Sequence, residues 1–191
     1  LYSLLTAGVL ESATGDDWGI LDAPGFARSF AFAAHMIGPT HRLFNFADSG
    51  ERWDAATGFH HYAYAALSGQ EGLLPAIVPH LDDSLDRLAD RPGRIYRALG
   101  LLLAWYRPAA TDAGTLPRTF LGRGPTEVHA QRSSWTDPDA WYVALKGGGI
   151  PTAHSHMDVG TFVLDAFGQR WASDLGADGH AYDTTDNMVP T

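Results

Sequence analysis

The stretch Ala109-Ala-Thr-Asp-Ala-Gly-Thr-Leu-Pro117 divides the chain into two halves with different apolar patterns. Its small, polar and turn-forming residues are typical of a connection between folded units. Apolar residues recur at helical spacing in residues 1–108, whereas residues 118–191 contain short runs rich in strand-forming residues. The sequence therefore predicts an α+β protein with a helical unit, a linker at 109–117 and an antiparallel β-sheet unit.

Five helical segments are predicted in the first half. They end at Gly15, Gly38, Gly69, Pro92 and Pro108. Glycine and proline commonly follow the last turn of a helix, because glycine adopts the left-handed conformation there and proline cannot continue the helix. The short breaks favour stacked helical hairpins, although no exact internal repeat is present.

Four short strands are predicted in the second half, separated by turn residues. They span Thr126–Arg132, Ala140–Leu145, Thr161–Ala166 and Arg170–Ser173. Gly168 lies in the two-residue break between the last two strands and predicts a hairpin turn. Residues 177–191 contain no obvious closing strand, so we expect an open sheet edge that further chain would cover.

Composition limits the classes of function. The chain has 191 residues, of which 45% are hydrophobic and 18% charged, as in globular proteins. Its net charge of −9 argues against nucleic-acid binding by a basic surface. No apolar run approaches the ~20 residues of a membrane helix. The absence of cysteine excludes disulfides and thiolate ligands, so any metal must be held by histidine and carboxylate side chains.

The densest group of chemically active residues lies between Gly147 and Gly160. Within it, His154, His156 and Asp158 occupy alternate positions, and an extended backbone would project all three from one face. Zinc accepts imidazole and carboxylate ligands, and Asp174 could return beside this segment through the last hairpin. The same side chains could instead bond to the backbone and cap turns. The spacing alone leaves both interpretations open.

Several motifs together resemble the heparinase II/III-like polysaccharide lyases. In the second half they are Arg132-Ser-Ser-Trp135, Asp139-Ala-Trp-Tyr-Val143, Lys146-Gly-Gly148, His154-Ser-His-Met-Asp-Val-Gly160, Phe162-Val-Leu164 and Arg170-Trp-Ala-Ser-Asp-Leu-Gly176. Upstream they are Leu10-Glu-Ser-Ala-Thr-Gly15, Pro24-Gly-Phe26 and Phe44-Asn-Phe-Ala-Asp-Ser-Gly50. The resemblance implies the end of an (α/α) toroid followed by the start of an antiparallel β-sandwich, with an active cleft between them.

The resemblance also implies an activity and a set of site residues. Members of the family cleave uronate-containing polysaccharides by β-elimination, outside the cell or in the periplasm. By position, His154 is implied to lie near the substrate carboxylate, and His156 and Asp174 to bind a structural zinc. A third zinc ligand is expected beyond residue 191. The catalytic tyrosine belongs to a helix where this chain begins, which makes Tyr2 the candidate, and we expect this chain to hold only part of the site.

The chemistry of β-elimination gives further candidates. Removal of the C5 proton adds negative charge to a sugar that already carries a carboxylate, so cationic or donor groups must neutralise it. Both His154 and Arg132 are available for this role. A tyrosine can act as base or acid if positive neighbours lower its pKa. Tyr2 and Tyr182 are the tyrosines to test.

Two other functions stay open on the sequence alone. One is a non-catalytic polysaccharide-binding module of the same fold. The other is a metal-dependent hydrolase that uses the histidine and aspartate cluster to activate water. The sequence does not specify the polymer, because heparin or heparan-type glycosaminoglycans, alginate and related exopolysaccharides all carry the uronate carboxylate.

Overall fold

The computed structural model describes residues 2–52, 55–69, 71–89, 98–106, 116–149 and 154–176. Within these residues the chain forms five α-helices and then five β-strands, with a short 3₁₀ turn before the fourth helix. The helices are α1 (Tyr2–Thr14), α2 (Phe26–His35), α3 (Ala55–Ser68), α4 (Leu74–Ala89) and α5 (Ala98–Trp105). The strands are β1 (Thr119–Gly122), β2 (Val128–Arg132), β3 (Tyr142–Lys146), β4 (Phe162–Ala166) and β5 (Gln169–Ala172). The predicted α+β class, with helices before strands, is confirmed.

Helix α3 lies at the centre of the helical part. It packs against α1, α4 and α5. Every residue from His61 to Ala65 is at most 1% exposed. Because this stretch is longer than one helical turn of about 3.6 residues, α3 is buried on all sides there. The other described helices therefore pack around it.

Two predicted helix ends agree closely with the structure, whereas α2 ends at His35, three residues before the predicted end at Gly38. Helix α1 ends one residue before Gly15, and α3 ends one residue before Gly69. Both glycines have positive φ, 76° and 68°, as expected of a residue that terminates a helix. The ends predicted at Pro92 and Pro108, and linker residues 109–115, lie outside the described residues. None of the described helices has the length and apolarity needed to cross a membrane.

The strands form one antiparallel sheet in the order β1-β2-β3-β4-β5, so each strand pairs with its sequence neighbour. Strands β2 to β5 lie within a few residues of the predicted positions, whereas β1 was not predicted. Phe167 and Gly168, which join β4 to β5, have φ values of 54° and 68°. Positive φ at both positions is the geometry of a type I′ turn. The hairpin predicted at Gly168 is confirmed.

One face of the sheet packs against the segment that follows α2. Its apolar residues form a cluster with that segment: Met36, Phe44, Val128, Ala130, Tyr142, Ala144 and Val163. Three charged side chains on β2, β3 and β4, namely Arg132, Lys146 and Asp165, are also at most 3% exposed. A buried charge is costly unless it is paired. The bonding partners of these three side chains therefore show which segments of the chain are fixed against the sheet.

Asp165 and Arg170 form a buried ion pair that fixes the turn after α2. Arg170 Nε donates to Asp165 Oδ1 at 2.7 Å, and the two side chains are 2% and 0% exposed. The Thr40 hydroxyl donates to Asp165 Oδ2 at 2.6 Å. Arg170 Nη1 donates to the carbonyl of Leu43 at 2.7 Å. Residues 38–43 are therefore tied to the β4–β5 hairpin.

We predict that Gly38→Ala destabilises the protein by about 1–3 kcal/mol, the usual cost of overpacking a filled interior. A Cβ at Gly38 would lie 2.1 Å from Asp165 Oδ2 and 3.0 Å from Tyr142 Cδ1, and Asp165 is held by Arg170. Chemical denaturation measures the change. Gly50→Ala is the control, since a Cβ there meets nothing within 4 Å. Equal stabilities of the two variants would contradict the close approach.

Candidate functional site

The candidate site forms where residues 44–49 meet residues 154–158. The carboxylate of Asp48 lies between two imidazoles, with Oδ2 at 2.5 Å from His154 Nδ1 and Oδ1 at 2.8 Å from His156 Nε2. The side chain of His154 is 75% exposed, that of His156 is 36% exposed and that of Asp48 is 24% exposed. One carboxylate from the helical half thus holds both histidines of the sheet half.

A buried ion pair supports this contact from beneath. The Lys146 ammonium, whose side chain is 1% exposed, contacts Asp158 Oδ1 and also donates to the carbonyl of His156 at 3.4 Å. Asp158 Oδ2 accepts the Ala47 amide at 3.0 Å. Burial by itself raises the pKa of Asp158, but hydrogen bonds from Lys146 and Ala47 hold that pKa below its ordinary value. Asp158 therefore links β3 to the loop that carries Asp48.

The backbone is strained on both sides of the contact. Ala47 has a φ of 57° and His154 has a φ of 67°, both in the left-handed region. This conformation costs a residue with a Cβ roughly 1–2 kcal/mol. Strain of this kind persists where surrounding contacts impose it, and it is common at functional sites.

A pocket of about 290 Å³ opens beside His154. Its walls include Phe32 and Phe46, and its polar groups come from Thr126, Lys146, His154 and Ser155. The Lys146 ammonium lies 5.9 Å from the centre of the Phe46 ring. Apolar walls with a few convergent polar groups are typical of a small-ligand site. The pocket could accept a small ring with polar substituents.

The extended geometry expected for residues 154–158 is wrong. This segment is a loop that precedes β4, and the left-handed conformation of His154 interrupts any strand. His154 and His156 share Asp48 as a partner, whereas Asp158 is paired with Lys146. The three side chains reach the same neighbouring loop, but they do not form a common ligand set.

Arg132 is not placed to bind substrate. It is 3% exposed, and its Nη2 donates to the carbonyls of Ile37 at 2.6 Å and His35 at 3.4 Å. Its guanidinium also lies 3.7 Å from the centre of the Trp135 ring. The side chain thus anchors the end of α2 to the sheet, and the predicted substrate contact stays a prediction that this burial does not support.

Asp174 is engaged in local bonds. Its Oδ2 accepts the Thr161 hydroxyl at 2.6 Å, and its Oδ1 accepts the Gly176 amide at 2.7 Å. In the part of the chain that the structure describes, no group of three or more His, Cys, Asp or Glu side chains is placed to hold a metal ion. A zinc site at His156 and Asp174 stays a prediction.

The two candidate tyrosines are not brought to the pocket by the described residues. Tyr2 begins α1, is 83% exposed and is not among the residues that line the pocket at His154. Tyr182 lies outside the described residues. The group that would move a proton is therefore not identified by this geometry.

Asp48 is the site residue that the sequence analysis missed. It lies within Phe44-Asn-Phe-Ala-Asp-Ser-Gly50, which drew notice only as a resembling motif. An acidic residue in a loop rich in small and polar residues has no spacing relation to His154 or His156, which lie more than 100 residues later. Only the tertiary contact reveals its role.

A second pair of imidazoles lies in the helical part. His80 on α4 is 5% exposed, and its Nδ1 is 2.8 Å from Nδ1 of His41. Burial, together with the neighbouring His41, lowers the pKa of His80 to about 3. His80 is therefore neutral near pH 7, and one ring nitrogen of the pair donates to the other. This pair joins α4 to the turn after α2.

No family model matches the chain, and no curated protein matches it.

We predict that Asp158→Ala lowers the free energy of unfolding by about 3–5 kcal/mol, the usual effect of leaving a buried charge without its partner. Chemical denaturation measures it, and Asp86→Ala, at an exposed position on α4, is the control with a change within about 0.5 kcal/mol. Lys146→Met combined with Asp158→Ala should recover much of the loss, because the unpaired ammonium is removed. A loss in Asp158→Ala no larger than in the control would contradict a stabilising role for this pair.

Proposed function

We propose that this chain carries part of the site of a polysaccharide lyase that cleaves uronate-containing polysaccharides by β-elimination. The supporting observation is the position of His154, an accessible imidazole held by Asp48 at the mouth of a pocket that Lys146 also lines. The motif around His154 resembles the heparinase II/III-like lyases, in which the corresponding histidine acts near the substrate carboxylate.

In the proposed reaction, His154 neutralises charge on the sugar. Its Nδ1 faces Asp48, so Nε2 is the nitrogen left to meet a ligand. The proposal requires the His154 ring to carry both protons, so that Nδ1 donates to Asp48 while Nε2 donates to the uronate carboxylate. This hydrogen bond is most stabilising when the C5 proton leaves and the electron pair of the C5–H bond delocalises onto that carboxylate.

The elimination then proceeds by bond changes on the sugar. A base takes the C5 proton, a double bond forms between C4 and C5, and the C4–O bond breaks. The leaving oxygen takes a proton from an acid. A tyrosine supplies these proton transfers in the resembled family, and Tyr2 and Tyr182 are the candidates. Arg132 has no part in this scheme because its guanidinium is buried.

A larger fold is also part of the proposal. The described helices would belong to an (α/α) toroid, and the sheet would be one layer of a β-sandwich. Exposed apolar side chains on the sheet support a second β-layer. Leu145, Phe162 and Trp171 are 43%, 48% and 66% exposed. Apolar residues on a sheet face favour burial under a second layer.

Zinc keeps a structural role in the proposal. His156 and Asp174 would be its ligands in this chain, and a further ligand would come from outside the described residues. The described side chains do not assemble a three-ligand group, so no reaction step is assigned to the metal. A uronate polymer as substrate favours a secreted or periplasmic location.

A non-catalytic polysaccharide-binding module is the second candidate. The observation that favours it is that no tyrosine is among the residues lining the described pocket. A metal-dependent hydrolase is less favoured, since Asp158 is paired with Lys146 and is not available to a metal-bound water.

We predict that a protein in which this chain is joined to the rest of the proposed site, incubated with alginate, heparin or heparan sulfate, produces the ultraviolet absorbance of an unsaturated uronate, whereas residues 1–191 alone do not. His154→Ala should reduce the rate by about 10²–10³-fold, as expected for loss of a group that stabilises developing charge. His129→Ala is the matched control, because His129 lies on β2 and does not line the pocket.

The outcomes separate the two candidates. Polymer binding without product by the protein that contains the rest of the proposed site supports the binding module and contradicts the lyase. Equal rates in the His154→Ala and His129→Ala proteins would contradict the role of His154.

A further inference from the structure

A second pocket lies in the seam between α2 and β1. Its volume is about 640 Å³, and it is lined by Arg28 and Ser29 from α2 and by Phe120, Leu121 and Arg123 from the β1 side, together with neighbouring glycines. Both arginines are exposed. Neither forms a hydrogen bond or an ion pair with another residue in the described part of the chain. The pocket therefore presents two guanidinium groups to solvent.

The two pockets are neighbours along the same seam. Phe32 lines the pocket at His154, and its ring centre lies 5.9 Å from that of Phe120, which lines the second pocket. Val128 of the first pocket and Gly122 of the second are paired across β1 and β2. Phe32 follows Arg28 by one helical turn, about 6 Å along α2. This rise of about 6 Å along α2 is comparable to the length of one sugar residue in a polysaccharide.

The charge of the second pocket contrasts with the rest of the molecule. The chain carries a net charge of −9, with 13 basic side chains in all. Arg28 and Gly25 also line an adjoining pocket that contains Glu11, Asp17 and Asp22, and none of these acids is in an ion pair with Arg28 among the described residues. An anionic polymer is repelled there. An acidic group is therefore better accommodated in the pocket that Arg28 shares with Arg123.

Guanidinium groups suit the acidic groups of sugars. A planar guanidinium can donate two parallel hydrogen bonds to a carboxylate or a sulfate. Phe120 and Leu121 supply apolar surface against which the face of a sugar ring can pack. This combination differs from a purely electrostatic surface, which would attract any anion.

We propose that Arg28 and Arg123 form a subsite for the acidic group of a polysaccharide whose neighbouring sugar occupies the pocket at His154. The identity of the polymer rests on the proposed function. The subsite contributes to binding and contacts no reacting atom. It selects chains with an acidic group on the sugar next to the one at His154, and so favours acidic oligomers over single sugars.

Binding of defined oligosaccharides tests the subsite directly. Calorimetry with an alginate hexasaccharide at low salt compares the unchanged protein with a protein carrying Arg28→Gln and Arg123→Gln. The control protein carries Arg52→Gln and Arg118→Gln, which remove the same charge at exposed positions that line neither pocket. We expect Kd to rise about tenfold in the first variant and by less than about twofold in the control.

Three results would overturn the subsite. One is an equal rise of Kd in the two variants, which means that only net charge matters. Another is an equal loss of affinity for a neutral hexasaccharide. The last is that inorganic sulfate binds as tightly as the hexasaccharide, with the same dependence on the two arginines, which would indicate a simple anion site.

Turnover distinguishes this proposal from the lyase proposal. If the chain is a lyase, the Arg28 and Arg123 variant should raise KM for the hexasaccharide with little change in kcat, whereas His154→Ala should lower kcat. A fall in kcat equal to that of His154→Ala would assign the arginines to the reaction and overturn a binding subsite. If a protein that contains this chain and the rest of the proposed site gives no product, the lyase proposal fails, and the calorimetric comparison still decides whether the subsite exists.

Discussion

The ion pair between Lys146 and Asp158 determines how the two halves of the chain meet at the candidate site. Lys146 is almost fully buried, so its ammonium needs a carboxylate nearby. The second oxygen of Asp158 accepts the Ala47 amide, which fixes the loop that carries Asp48. Asp48 then holds both His154 and His156. The orientation of two exposed histidines therefore depends on a charge pair beneath them.

Buried charges also fix the rest of the contact between the helical half and the sheet. Arg132 anchors the end of α2 through backbone carbonyls, and the pair of Asp165 with Arg170 anchors the turn that follows. Arg132 and Asp165 thus bond directly to the chain from the end of α2 onward, and Lys146 reaches the loop at Ala47 through Asp158. A sheet face with only apolar residues would bury the same surface without specifying where that segment lies. Because these bonds fix the segment after α2, the pocket at His154 and the pocket between α2 and β1 can keep a defined shape.

Local sequence signals predicted the fold more completely than the site. Helix ends at Gly15 and Gly69 and the hairpin at Gly168 are set by neighbouring residues, so they could be recognised without tertiary information.

Strand β1 was missed because four residues at a sheet edge beside Pro117 give little alternation to detect. Pro75 and Pro79 interrupt the apolar pattern in the first half of α4; the first turn of a helix tolerates Pro75, and Pro79 lies inside the helix. The role of Asp48 and the burial of Arg132 arise from contacts about 100 residues apart in sequence, which no local pattern contains.

Hydrogen exchange at the Ala47 amide is the most direct test of the contact between residues 44–49 and 154–158. The account predicts that this amide exchanges at least ~10-fold more slowly in the native protein than in the denatured chain. It also predicts that Asp158→Ala removes this protection while amides in the centre of α3 stay protected. Rapid exchange of Ala47 in the native protein, or unchanged protection in Asp158→Ala, would contradict the claim that Asp158 fixes the loop that carries Asp48.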